Sequence, residues 1–201
     1  ADVVVENFRP GYLDSLGLGY GALSKTNPGL VVTSITPFGQ TGPYKDYLGE
    51  ELIEYAMSGI MTISGKRDKE PLKHGGFQAQ YAGGLNGALA TSMALVSRLF
   101  AGEGQHVDIS ITESVTSELV ANQPMYSFMG GVQTRRPPSG DMFRNVMPCK
   151  DGFVIIQEGA GATWDQIAGF FQEPRLKDER FSTPAGRREN AEEMDQLMVG
   201  A

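Results

Sequence analysis

Two β-branched runs, Asp2 to Val5 and Leu30 to Ile35, flank a stretch whose apolar residues recur at helical spacing, and this pattern narrows the fold more than any other feature. The first run is bounded by Glu6-Asn7, and the second follows the turn sequence Asn27-Pro28-Gly29. Between them Tyr12, Leu13, Leu16, Tyr20 and Leu23 are interrupted by Gly17 and Gly19, which predicts two short helices with a kink. Two strands joined by a helical crossover must lie parallel, so an α/β fold with a partly parallel sheet is expected.

Pro37 to Tyr44 is rich in glycine and proline and suits a loop at a strand's carboxyl end, where such sheets place ligands. Glu50 to Met61 reads as a helix with Leu52, Ile53, Ala56, Met57 and Ile60 on one face. Tyr81 to Phe100, rich in Ala and Leu and closed by Ala101-Gly102-Glu103-Gly104, predicts a long buried helix whose small residues, Gly83, Gly87 and Ala88, pack closely on a partner. His106 to Ile111 alternates as a third strand, with a helix near Thr112 to Ala121. From Asn122 to Pro148 periodicity is lost, so we divide the chain into 1–121 and 122–201, the second part starting as a long connection. A strand at Phe153 to Gln157 and helices at Trp164 to Phe171 and Arg187 to Met198 follow.

With 17 Lys and Arg against 24 Asp and Glu, the net charge of -7 repels nucleic acid and anionic membranes. The chain opens Ala1-Asp2-Val3 with no basic segment before an apolar run, so no secretory signal is expected in the sequence as it stands, and the single cysteine, Cys149, fits a cytoplasmic setting. His74 and His106 lack metal-ligand spacing and read as structural, so no metal is expected. Gly159-Ala160-Gly161 after a strand imitates a dinucleotide fingerprint, but Trp164 stands where a small residue must let helix and strand approach, and a plain turn anchored by Trp164 is the better reading. Arg135-Arg136 could meet a phosphate or simply form a solvated loop.

Five ordered segments carry a resemblance: ADVVVENFRPG at 1–11, FGQTGPY at 38–44, residues 51–59, GEGQHVDISITE at 102–113 and DERF at 178–181. Together they resemble the class III CoA-transferase family, which includes formyl-CoA and carnitine-CoA transferases. The match is to a middle portion, about half the family's usual length. The resemblance implies a Rossmann-like large-domain portion, the start of a smaller α+β domain, and an interlocked homodimer. It also implies that coenzyme A, arriving as an acyl-CoA substrate, lies along the large domain with Asn7, Phe8 and Arg9 at the contacting loop, and that a small carboxylic acid is the second reactant. Arg9 suits a phosphate through charge-assisted hydrogen bonds, and Phe8 offers an apolar surface.

The family's nucleophile is a carboxylate near the start of the long helix, four positions before a glycine; here that position is Gln80, before Gly84. The family route needs this carboxylate to attack the thioester, forming a mixed anhydride and then an enzyme-CoA thioester. A carboxamide has no anionic oxygen and its nitrogen lone pair is delocalised, so Gln80 cannot take that part. Ser15 replaces a phosphate-binding Arg of many relatives. Glu51 matches an acidic position near the reacting thioester; it is either a residual acid of the site or a first-turn residue favoured by the helix dipole. Three readings follow: CoA transfer between an acyl-CoA and a carboxylic acid, a non-catalytic CoA-binding or assembly module, or slow thioester hydrolysis with Glu51 as general base.

Overall fold

The computed structural model describes residues 1–66, 68–135, 146–155 and 161–200. Strands β1 (Val3–Glu6) and β2 (Val31–Thr36) form where the β-branched runs predict them, and α1 (Tyr12–Ser15) and α2 (Tyr20–Thr26) make the kinked crossover. The kink has a local cause: Gly17 sits at φ +72°, and a Cβ on Gly19 would strike the Asp14 side chain. Then come α3 (Glu51–Met57), a 3-10 turn at Ile60–Ile63, α4 (Gln78–Ala101), β3 (His106–Ser110), α5 (Ile111–Thr116) and α6 (Asn122–Met129). The three strands form one parallel sheet in the order β1, β2, β3, with Val4 opposite Val32 and Val32 opposite His106. The central strand is covered on both sides, so Val31, Val32, Thr33 and Thr36 are buried, as a continuous apolar and β-branched run requires.

Helix α4 lies across the sheet on its small residues. Ala79, Gly83, Gly87 and Ala94 are buried, and a Cβ at Gly83 or Gly87 would stand 2.8 Å from Ile111 Cγ1 or 2.7 Å from Ile35 Cδ1. The helix expected to be buried is buried only on that side: Tyr81, Leu85, Leu89, Met93 and Phe100 are exposed along the outer side, Phe100 by 88%. The apolar face expected on α3 is not the one the fold buries. Leu52, Ile53, Ala56 and Met57 are exposed, and of that set only Ile60 is buried, whereas Glu54, Tyr55 and Ser58 turn inward. Tyr55 sets this phase by filling the cluster of Ile60, Ala79, Ile111 and Val115.

The chain divides into two compact units, 1–136 and 137–201. The first runs past residue 121, because α6 begins with Asn122 N–H donating to Leu119 O and Arg135 Nε reaches Lys66 O at 3.2 Å. The second unit holds an antiparallel hairpin of β4 (Val146–Cys149) and β5 (Gly152–Ile155), then α7 (Trp164–Phe171), two 3-10 turns, α8 (Pro184–Glu189) and α9 (Ala191–Val199). Its core gathers Met147, Ala168, Leu176, Phe181, Met194, Leu197 and Met198. Thr163 and Gln166 form a reciprocal capping box at the start of α7. Trp164 donates its indole N–H to Leu176 O at 2.7 Å, as an anchoring side chain should. The helix expected over 187–198 is two helices parted at Asn190, whose side-chain amide donates to Gly186 O. Among the described residues no helix is long and apolar enough to cross a membrane.

Candidate functional site

The carboxyl ends of β1 and β2 open into the Asn7–Gly11 turn and the loop from Pro37 to Glu50. Gly39 and Gly42 give that loop left-handed turns at φ +83° and +89°, and Asp108 of β3 accepts the Gln40 N–H at 3.0 Å from both oxygens. Phe38, Tyr44 and Tyr47 pack on one another, with ring centroids 5.3 to 6.4 Å apart. The loop is therefore pinned at its start and stiffened by its own aromatic side chains.

Two neighbouring cavities result, sharing Asn7, Pro37 and Gly49 in their walls. The outer one, about 480 Å³, is lined by Arg9, Tyr12, Ser15, Lys45 and Asp46, among others. The inner one, about 400 Å³, is lined by Glu6, Ile35, Glu54, Gln80, Gly84 and Ile111 besides the shared residues. Of the sequence candidates, Asn7 faces both, Arg9 the outer and Gln80 the inner. Phe8 is not in the core and lines neither of these two cavities: it is 49% exposed, with its ring 4.9 Å from that of Tyr12. Ser15 lines the outer cavity with its hydroxyl donated to Tyr12 O at 2.6 Å. Lys45, which sequence reading did not single out, lines the same cavity as Arg9.

Glu51 lines neither cavity. Its carboxylate reaches across to the start of α4, where Oε1 accepts from Ala79 N–H at 3.1 Å and Oε2 from Gln80 N–H at 3.3 Å. Lys73 Nζ lies 3.4 Å from Oε1, and the Glu51 side chain is only 11% exposed. The residue thus supplies from a distant helix the cap that Phe77, at the N-cap of α4, cannot provide. With both oxygens engaged, it is a structural cap and not the exposed first-turn acid of the plain alternative.

Glu54, one turn further along α3, is the site residue that sequence reading missed. It is 1% exposed; Oε2 accepts from Gln80 Nε2 at 2.6 Å, and Oε1 has no hydrogen-bond partner. Burial, reinforced by the nearby charges of Glu51 and Glu50, raises its pKa to about 7. A reader looking for chemistry could have noticed that Glu51 and Glu54 share one face of a short helix at i, i+3 spacing.

The remaining candidates are structural or belong to the second unit. His74 meets the Tyr55 hydroxyl at 3.3 Å, and His106 pairs with Ser34 Oγ at 2.9 Å beneath the Tyr20 ring. Cys149 is exposed in the second unit, 3.6 Å from Asp151. Among the described residues no three His, Cys, Asp or Glu side chains gather as a metal site. Arg136, Gly159 and Ala160 lie outside the described residues.

The two cavities lie at the carboxyl ends of parallel strands, where α/β folds commonly place ligands; Arg9, Lys45 and Asp46 line the outer one and the buried acid Glu54 the inner one. The chain belongs to CoA-transferase family III, which matches it over residues 1–201. It is 36% identical over 206 residues to a succinate–glutarate CoA-transferase of Agrobacterium fabrum, covering 98% of this chain and 50% of that protein. It is also 36% identical over 205 residues to a succinyl-CoA–D-citramalate CoA-transferase of Chloroflexus aurantiacus, with the same coverage, 98% and 50%. The crystal structure of a CAIB/BAIF family protein from Brucella suis superposes with a TM-score of 0.80 at 33% identity, covering 100% of this chain and 54% of that one. The chain thus spans about half the length of the curated relatives it matches.

Proposed function

We propose that this chain binds an acyl-CoA and serves transfer of CoA to a carboxylic acid, with the CoA phosphates in the outer cavity and the thioester in the inner one. The observation that carries this reading is the sorting of charge between adjoining cavities in a member of this family. Arg9 and Lys45 offer the outer space to phosphates, and a buried acid waits where the thioester would enter. The two relatives described above are named for succinate, glutarate and citramalate, and we extend that to a dicarboxylic acid as acyl donor and acceptor here. No step of the reading needs a metal. A cytoplasmic homodimer completes the proposal; the exposed apolar stripe along α4, from Tyr81 to Phe100, supports a partner surface.

Calorimetry with CoA and an exchange assay between succinyl-CoA and glutarate test the proposal together. Micromolar to millimolar CoA binding with formation of glutaryl-CoA is expected; absence of both would end it. The non-catalytic alternative draws on Gln80, and binding without exchange would favour it. Hydrolysis by Glu51 has less support, because that carboxylate already accepts two backbone N–H groups.

A further inference from the structure

Three acids stand in or beside the inner cavity, and their surroundings set them apart. Glu6 turns Oε2 onto the Phe8 N–H at 2.7 Å, within its own turn. Glu51 spends both oxygens on the start of α4. Glu54 alone among the three is buried to 1% exposure with an oxygen that meets no donor, and its other oxygen is held only by the side chain of Gln80. A buried carboxyl oxygen without a partner forfeits hydrogen-bond energy in the free protein, and such a cost points to a ligand or a reaction that uses the group.

We propose that Glu54 is the nucleophilic carboxylate of this chain, and that the exposed amide of Gln80 covers it until a thioester enters. The proposal deepens the acyl-CoA reading of the site and rests on it. Gln80 Nε2 lies 2.6 Å from Glu54 Oε2, so the reactive oxygen sits one hydrogen bond away from the side chain at the matching nucleophile position, carried by α3 in place of α4. Gln80 is exposed on the cavity side, and turning its amide aside uncovers that oxygen. Glu54 is 1% exposed, and Ile35, Ile111 and Gly84 line the cavity along with the polar Glu6, Asn7 and Gln80, so the carboxylate itself is weakly solvated and therefore nucleophilic.

The chemistry closes on itself. A Glu54 oxygen bonds to the thioester carbonyl carbon, and the C–S bond breaks with its electron pair leaving on CoA thiolate. The thiolate then attacks Glu54 Cδ of the mixed anhydride, the acyl group departs as its carboxylate, and a Glu54-CoA thioester remains. An acceptor carboxylate reverses the sequence. No proton, metal or redox partner is consumed.

The test is residue-level trapping. The chain is incubated with succinyl-CoA without acceptor, quenched with hydroxylamine and mapped by peptide mass spectrometry, while calorimetry with CoA is run on the same preparation. A hydroxamate on Glu54 is expected. It should vanish in Glu54→Gln, persist more weakly in Glu54→Asp, and persist in Gln80→Ala, because alanine uncovers the oxygen without supplying a carboxylate. Circular dichroism verifies that each variant folds, and the map of the unaltered chain is decisive by itself. A label on Glu6 or Glu51, or none in a chain that binds CoA, overturns the assignment to Glu54 and leaves the CoA-site reading standing. Absence of CoA binding removes that reading and, with it, this inference.

Discussion

The carboxylate of Glu51 accepts the backbone N–H of Ala79 at 3.1 Å, a contact between residues 28 positions apart that fixes where α4 begins relative to α3. Because Gln80 N–H binds the other oxygen, one side chain satisfies two of the helix's orphan donors and presents negative charge to its positive end. Glu51→Ala should cost roughly 1–2 kcal/mol in urea denaturation, and Glu51→Gln less, since the amide oxygen still accepts one bond. Equal losses for the two variants would contradict the cap.

Glu54 leads to a pH prediction. Its carboxyl titrates near 7 in the folded chain against 4.5 for an ordinary glutamate, because burial first, and the charges of Glu51 and Glu50 second, oppose ionisation. Between those values the unfolded chain releases its proton first, so stability falls as pH rises, and above 7 the full penalty persists. Replacement by Gln removes the penalty. The Glu54→Gln chain should be more stable than the parent by on the order of 2–3 kcal/mol above neutrality, the gap closing toward pH 4.5. Denaturation midpoints measured across this range check it; a gap that widens in acid would refute the assignment.

The two glycines under α4 should respond differently to alanine. A Cβ at position 83 meets Ile111 Cγ1 at 2.8 Å, close to that residue's own backbone, whereas one at position 87 meets the terminal Cδ1 of Ile35, which can turn away. Gly83→Ala should therefore destabilise by roughly 1–3 kcal/mol. Gly87→Ala should be near neutral, its clash offset by about 1 kcal/mol of helix propensity. Thermal unfolding of the pair decides the matter, and a reversed order would show that the helix sits elsewhere on the sheet.

For the outer cavity, Arg9→Ala should weaken CoA binding about 10- to 100-fold, the worth of a charge-assisted pair, and should flatten its dependence on salt. Ser15→Arg should strengthen binding, since the Ser15 hydroxyl is spent on Tyr12 O and offers nothing to a phosphate. Calorimetry at two ionic strengths reads both. Unchanged affinity in each variant would place the phosphates elsewhere.

The sheet was legible because β-branched runs bounded by turn residues admit few alternatives, and Val3 to Val5, Val31 to Ile35 and His106 to Ile109 all lie within the strands observed. Helix α7 matches the expected bounds to the residue, with Thr163 and Gln166 capping its start. Helix phase was not legible. Leu52, Ile53 and Met57 look like a buried face, yet the bulk of Tyr55 claims the interior and carries Glu54 in with it. A glutamate read alone is a solvated charge, and the only local mark of this one was its i, i+3 spacing from Glu51. The strand Val146–Cys149 escaped because Pro148 argues against sheet pairing, and α6 because Pro124 and the following glycines mask its short period. Glu51's part as a cap could not be foreseen, for it depends on a partner in another helix.

At Gly104 the backbone passes so close to Leu30 that a side chain would overlap its carbonyl oxygen, and the N–H of Gly104 is donated to Pro28 O at 2.8 Å. This glycine leads into the strand whose fourth-following residue, Asp108, tethers the Gln40 amide and so the wall of both cavities. A single methyl at the far rim of the sheet should thus be felt where the ligand lands. Surveys for altered substrate preference need not be confined to the pocket: the aperture has a tuning screw at the opposite end of β3.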